Sequence, residues 1–248
     1  MRHWIETVVE PERQILAWQG ADLCGDRYRW AVGEISAQGG AHQFRYFEEG
    51  PEFAALNDGK PFAALRAAGY VGYPAFELKA GCFERDVMSA FRRRLPARER
   101  SDYADYLEHF RLTPKVRASD FALLGLTGAK LPSDGFSIVD PLEDARPARD
   151  LFLEVAGYRH YAEASRLVGG ETVTFAAEPF NAVDPNAVVM RVGDRGIGYV
   201  NRLRTRAFRT WVVEGRLSGS IERLNGRPDH PRAFAFVRVE PEAERAAA

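Results

Sequence analysis

The sequence predicts an α+β protein: a small β-hairpin and sheet with a helical cluster, then a mostly-β barrel carrying one helix. Three observations predict it. Aromatic and β-branched residues alternate in short runs between residues 14 and 47, the period of a strand with one buried face. Between 84 and 128, apolar residues recur at helical spacing instead. From 151 onward short strand-like runs return, separated by Gly- and Asp-containing turns and by one helical stretch near 202–212. The 248 residues are 46% apolar, which supports a real core and argues against disorder over most of the length. That length leaves room for one large domain or two of ordinary size.

The elements follow in order. "QILAW" (14–18) reads as a first strand, and "YRWAVGEI" (28–35) and "HQFRYF" (42–47) as a hairpin turned at "SAQGGA". "FAALRAAGY" (62–70) is a short helical piece ending near Gly69, and "GYPAF" is loop. "ERDVMSAFRRRL" (84–95) puts Val87, Met88, Phe91 and Leu95 on one helical face before Pro96, and its arginines read as a solvated helix face. Ser101 or Asp102 can cap a helix burying Tyr103, Tyr106, Leu107 and Phe110; Ser119 or Asp120 can cap another that ends at Gly128. "FSIVDPLED" closes this part with a short strand. The expected domains are 1–142, a charged linker "EDARPARD" at 143–150, a barrel at 151–240 and a disordered tail at 241–248.

In the second part "LFLEVAGY" (151–158), "ETVTFAAE" (171–178), "AVVMRV" (187–192) and "IGYV" (197–200) read as strands, with "GDRG" as a hairpin turn. Asn201 can cap a helix that puts Leu203, Ala207 and Trp211 on one stripe and Arg202, Arg206 and Arg209 on another. "EGRLSGSIERL" and "RAFAFVRVE" supply the closing strands.

Composition narrows the function. The net charge is -1, so the whole molecule is no attractor for DNA or membrane. Residues 151–240 nevertheless carry 13 basic against 10 acidic groups, whereas residues 1–150 carry 20 against 23, which directs an anionic partner to the second part. Cys24 and Cys82 lack paired spacing and read as free thiols, so no cysteine zinc site is expected. The N-terminal stretch is charged and unlike a secretory signal, and no run reaches the roughly 20 apolar residues of a membrane helix. A cytoplasmic protein without membrane contact is the expectation. There is no phosphate-binding P-loop; "GDRGIG" lies between strands, not before a helix. His3, His42, His109, His160 and His230 form no metal-binding helical pair and no triad. No catalytic residue, metal or cofactor is expected, and whether the chain is an enzyme stays open, leaning against.

Two segments point to binding. "EPFNAVDPNAV" (178–188) concentrates turn formers: Asp184 and Asn186 side chains bond nearby backbone donors, and Pro185 sets φ. Glu178 with Asp184 would make a carboxylate pair, but nothing near them in sequence supplies a histidine or phosphate loop. "GYRHY" (157–161) follows a strand and offers Arg159, His160 and Tyr161; bases stack on rings, and arginine pairs with phosphate. Strand alternation would put Arg159 and Tyr161 on one face.

"GYRHY", "EPFNAVDPNAV" and "IGYV", in that order, resemble the pattern of the HIRAN domain over about residues 151–240. The resemblance implies an OB-like barrel, binding of single-stranded or damaged DNA at a 3′ end, and a setting in DNA repair. It implies contacts from Arg159 (phosphate and base), His160 (a stacking position), Asn181 and Asp184 (the terminal hydroxyl) and Tyr199, with Tyr161 and the arginines 202, 206 and 209 added from the reading above. Val183 and His160 stand where the family pattern has stacking tyrosines, which weakens two aromatic platforms. The first part resembles more loosely the N-terminal subdomain of HipA-type toxin kinases, through "VGEISAQGGAHQFRY", "FRRRLPARER" and "DFALLGLTGAKLPSDGF". That resemblance implies docking to a protein partner and no phosphotransfer. The alternative function is therefore a docking module of a toxin–antitoxin or phage-defence system that has lost DNA binding.

Overall fold

A computed structural model describes residues 3–20, 28–132, 134–161, 167–227 and 230–242. The fold is α+β and divides into two compact units. One comprises Glu10–Arg100 and Ala118–Pro141; the other comprises the residues up to Val9, Ser101–Arg117, and the residues from Leu142 on. The chain therefore enters the second unit before and between the two segments of the first, where the sequence suggested one boundary at 143–150.

The first unit is built on the sheet order β4-β3-β2-β1-β5. Its strands are β1 (Arg13–Trp18), β2 (Trp30–Gln38), β3 (Ala41–Tyr46), β4 (Cys82–Phe83) and β5 (Phe136–Val139). β2 and β3 form the expected hairpin, turning at Gly39 and Gly40, whose positive φ values of 56° and 85° suit glycine. Alternation is lost in the middle of the sheet. Gln14–Ala17 and Trp30–Ile35 are continuous buried runs, and their two polar members have partners: Gln14 donates to the Phe121 carbonyl, and Glu34 pairs with Arg13 and Arg45. Helices α1 (Pro51–Leu56), α2 (Phe62–Ala67), α3 (Val87–Arg92) and α5 (Asp120–Thr127) complete this unit. Ser119 caps α5 by accepting the Ala122 N–H, and Gly128 ends it at φ 72°. The buried polar groups here are structural. Asn57 accepts the Ala31 N–H at 2.8 Å and donates to the Ala31 and Phe53 carbonyls, extending the hydrogen bonding of β2. In the arginine run, Arg94 is a buried strut that donates to Asp134 and to the Ala129 and Phe136 carbonyls, and Arg92 pairs with Asp120. Cys82 is an exposed free thiol; Cys24 lies outside the described residues.

The second unit is an OB-like barrel. β6 (Arg149–Glu154), β7 (Thr172–Ala177), β8 (Val188–Val192), β9 (Arg195–Tyr199), β10 (Leu217–Arg227) and β11 (His230–Val239) make a sheet of order β6-β11-β10-β7-β8-β9. The ends of the sheet are drawn together by one antiparallel bridge, between Ala156, two residues beyond β6, and Tyr199 of β9. Met190, Val188, Ala235, Val237, Phe208 and Trp211 lie at its core. Helix α6 (Thr205–Glu214) packs Ala207, Phe208 and Trp211 inward and leaves Arg206 and Arg209 outside, as its periodicity predicts.

Residues 143–150 are exposed at Glu143, Asp144 and Arg146 but are held to the barrel unit. The Ala145 carbonyl accepts from the Trp211 indole at 2.7 Å and from Arg216 at 3.1 Å, and Arg149 and Asp150 already belong to β6. Helix α4 (Tyr103–His109) and the chain around Ile5 join this unit as well; Ile5 bridges Leu112, and the Glu6 and Thr7 N–H groups donate to the buried Asp150 carboxylate.

Candidate nucleic-acid interface

Closure of the barrel explains the glycines of the motifs. Gly198 has φ 140°, and a Cβ there would lie 2.5 Å from the Ala156 carbonyl oxygen and 2.6 Å from Val155. Only glycine lets β9 approach the end of β6 so closely. Gly157, at φ 75°, then turns the chain sharply into a 3-10 turn, Tyr158–His160. This corrects the expectation for "GYRHY": Arg159 and Tyr161 are not set on one face by strand alternation, because the left-handed Gly157 turns the chain into a 3-10 turn. Tyr158 is buried, Arg159 and Tyr161 are half-buried and His160 is exposed. Arg159 Nε donates to His160 Nε2 at 3.1 Å, so the two act as neighbours on one turn.

The segment 178–188 is a tight turn between β7 and β8, as its composition predicts. The Glu178 N–H donates to the Ala187 carbonyl at 2.9 Å, and the Ala187 N–H to the Asp184 carbonyl at 3.0 Å. Asn181 locks the turn from inside. Its Oδ1 accepts the Val183 and Asp184 N–H groups at 3.0 and 3.1 Å. Asp184 Oδ1 accepts the Asn186 N–H at 2.7 Å, so one carboxylate oxygen is used by the turn.

Three side chains meet above this turn. Tyr199 donates to Glu178 Oε2 at 3.1 Å, and Asn181 Nδ2 lies 3.0 Å from that oxygen and 3.2 Å from the Tyr199 hydroxyl. Arg191 stands 3.6 Å from the other Glu178 oxygen. Tyr161 reaches the same group, with its ring centroid 6.5 Å from that of Tyr199. Burial pushes the Tyr161 phenol upward, and hydrogen bonding with Tyr199 and the nearby Glu178 charge add to this, so it stays protonated. The structure thus brings together Tyr161, Asn181 and Tyr199, with Asp184 on the same turn. Arg209 joins them indirectly, because its guanidinium donates to the Asn186 carboxamide. Arg202 lies in a 3-10 turn, Arg202–Arg204, that Asn201 caps through the Leu203 N–H, and Arg206 stands exposed on α6.

Glu178 was legible only as an acid; its place as the hub of the cluster was not, because Tyr199 is 21 positions away. It is occupied by Asn181 and Tyr199 rather than offered as a catalytic partner to Asp184. The exposure of Phe180 and Val183, at 98% and 88%, has no signature in the sequence either. Among the described residues no three His, Cys, Asp or Glu side chains could hold a metal ion, and no helix is long and apolar enough to cross a membrane.

The fold and rim define a small closed barrel with a polar and aromatic cluster beside its closing seam. No protein-family model matches the chain, and no curated protein matches it. Two solved structures are similar to part of it. One is the HIRAN domain of human HLTF, 17% identical, covering 38% of this chain and 77% of that one with a TM-score of 0.31. The other is a protein from Lactobacillus plantarum, 24% identical, covering 38% of this chain and 98% of that one, also with a TM-score of 0.31.

Proposed function

We propose that the barrel unit is a HIRAN-like module that binds single-stranded DNA and recognises its 3′ end, without a motor of its own. The observation that carries this reading is the cluster of Tyr161, Asn181 and Tyr199 around Glu178, beside a turn tied to the arginine face of α6. In this reading Arg159 binds phosphate, and His160, Tyr161 and Tyr199 offer ring faces to bases. Asp184, one of whose carboxylate oxygens is not taken by the turn, addresses the terminal sugar, and Asn181 holds the turn that presents it. A carboxylate accepts a hydrogen bond from a hydroxyl and repels a phosphate, so Asp184 favours a free 3′ hydroxyl. Arg202, Arg206 and Arg209 hold the backbone, with affinity that falls as salt rises.

The test is fluorescence anisotropy with single-stranded oligonucleotides ending in a 3′ hydroxyl or a 3′ phosphate. Wild type and Arg159→Ala are compared at two salt concentrations. The expected result is tighter binding of the hydroxyl end, abolished in Arg159→Ala. Equal binding of both ends reduces the function to a basic surface. Absence of binding at low salt overturns it in favour of the docking module, in which the first unit engages a protein partner.

A further inference from the structure

We infer that Phe180 is a stacking platform for one unpaired base, with Val183 completing its apolar surface. The inference rests on the single-strand reading above and adds a contact that neither the polar cluster nor the arginines supply.

Both side chains are almost wholly exposed, at 98% for Phe180 and 88% for Val183, in a turn otherwise made mostly of polar residues, prolines and alanines. Nothing in the fold requires a ring there: Phe180 belongs to no part of the barrel core. The backbone that carries it is nevertheless held on both sides. The Asn181 N–H donates to the Glu178 carbonyl at 2.9 Å, and the Asn181 side chain fixes the Val183 and Asp184 N–H groups. An apolar ring on a fixed turn loses little backbone freedom when something covers it.

The surroundings select the occupant. Asp184 lies on this loop and Arg209 is bonded to the loop, and an apolar peptide covering both would bury charge of either sign. An unstacked nucleotide satisfies both requirements at once. Its base offers a flat face to the ring, and its phosphates face cations. Arg209 is bonded to Asn186, so a cation is anchored to the same loop that carries Phe180. Stacking of this kind tolerates any base, because every base has a π face.

The test walks an abasic site along an oligothymidylate and measures affinity by anisotropy for wild type, Phe180→Ala, Phe180→Leu and Phe180→Trp. Because the ring is exposed, each variant is expected to keep the wild-type melting temperature. On the intact strand, Phe180→Ala and Phe180→Leu should bind about tenfold more weakly, and Phe180→Trp at least as tightly as wild type. For wild type, one abasic position should cost a similar factor, and that same strand should show no further weakening with Phe180→Ala. Unchanged affinity in Phe180→Ala, while wild type binds, overturns the platform and leaves the proposed function standing. Full affinity in Phe180→Leu reduces the contact to apolar burial and overturns stacking. Absence of wild-type binding overturns the proposed function and the platform together.

Discussion

Ala156 and Tyr199 exchange both of their backbone hydrogen bonds, each 2.8 Å long, and this pair links the two ends of the six-stranded sheet. The same Tyr199 turns its hydroxyl to Glu178 and Asn181. Seam and candidate interface therefore share a residue, so strain in one should be felt in the other.

Gly198→Ala tests the seam. The new Cβ would meet the Ala156 carbonyl oxygen and Val155 at a backbone angle that side chains rarely adopt. We expect a loss of about 2–4 kcal/mol in urea unfolding, from strain and overpacking together. Gly157→Ala, where the added Cβ meets nothing within 4 Å but φ is 75°, should cost only about 1 kcal/mol. Equal losses would show that conformational strain, and not close approach, governs the seam.

Glu178 and Tyr199 should be energetically coupled. Glu178→Gln and Tyr199→Phe each remove or weaken the same hydrogen bond, and each should cost about 0.5–1.5 kcal/mol. The double variant should cost clearly less than the sum, by roughly 0.5 kcal/mol or more. Strict additivity in a double-mutant cycle of chemical unfolding would mean that the two do not act on each other.

Arg206 and Arg209 make a prediction for binding alone. Both are exposed on α6, so Arg206→Gln and Arg209→Gln should leave the melting temperature unchanged. Each phosphate that is no longer neutralised should lower the slope of log affinity against log salt by about 0.7 for a single strand. A salt series with the double variant that keeps the parental slope would remove these arginines from the interface.

His109 links pH to stability. It stands at the end of α4 beside Arg223, whose guanidinium donates to the His109 carbonyl at 2.8 Å and lies 4.8 and 4.7 Å from the Phe152 and Phe234 rings. Burial lowers the His109 pKa below its ordinary 6.5, and the charges of Arg223, Arg232 and Arg111 lower it further. The unfolded chain therefore binds its proton first as the pH falls. The stabilising contribution is complete above about pH 6.5 and is lost as the pH drops through the depressed folded value. Unfolding measured across that window should show a slope that flattens in His109→Asn. An unchanged slope would assign the dependence to other groups.

Local chemistry made much of this fold legible. Ser119 and Gly128 bracket α5, Asn201 starts the turn before α6, and the Gly39–Gly40 turn registers β2 against β3. Each is decided by residues within a few positions of one another. Helix α1 was not legible, because its one buried side chain, Phe53, makes no periodic pattern. Nor was the return of His109, Arg111 and Leu112 to the barrel unit, because packing against β10 and Ile5 leaves no trace in the spacing. At the interface, the turn chemistry of Asn181 and Asp184 could be read directly. The meeting of Glu178 with Tyr199 could not, since it depends on the register of β7, β8 and β9.

The interleaved path of the chain bears on how the protein is made. The backbone near Glu6 waits for Asp150, and His3 waits for Glu222, with which its ring pairs at 2.8 Å. On the ribosome these early residues emerge long before their partners, whereas β1, β2 and β3 can pair almost as soon as they appear. The first unit, whose two segments both precede Leu142, is then free to mature first, while the barrel waits for its last two strands. A fragment cut to the barrel strands alone would lack the segments around Ile5 and Leu112 and would expose the apolar surface they cover. An experimenter seeking the binding module in isolation should therefore remove both inserted segments, Glu10–Arg100 and Ala118–Pro141, and splice what remains, instead of truncating the chain.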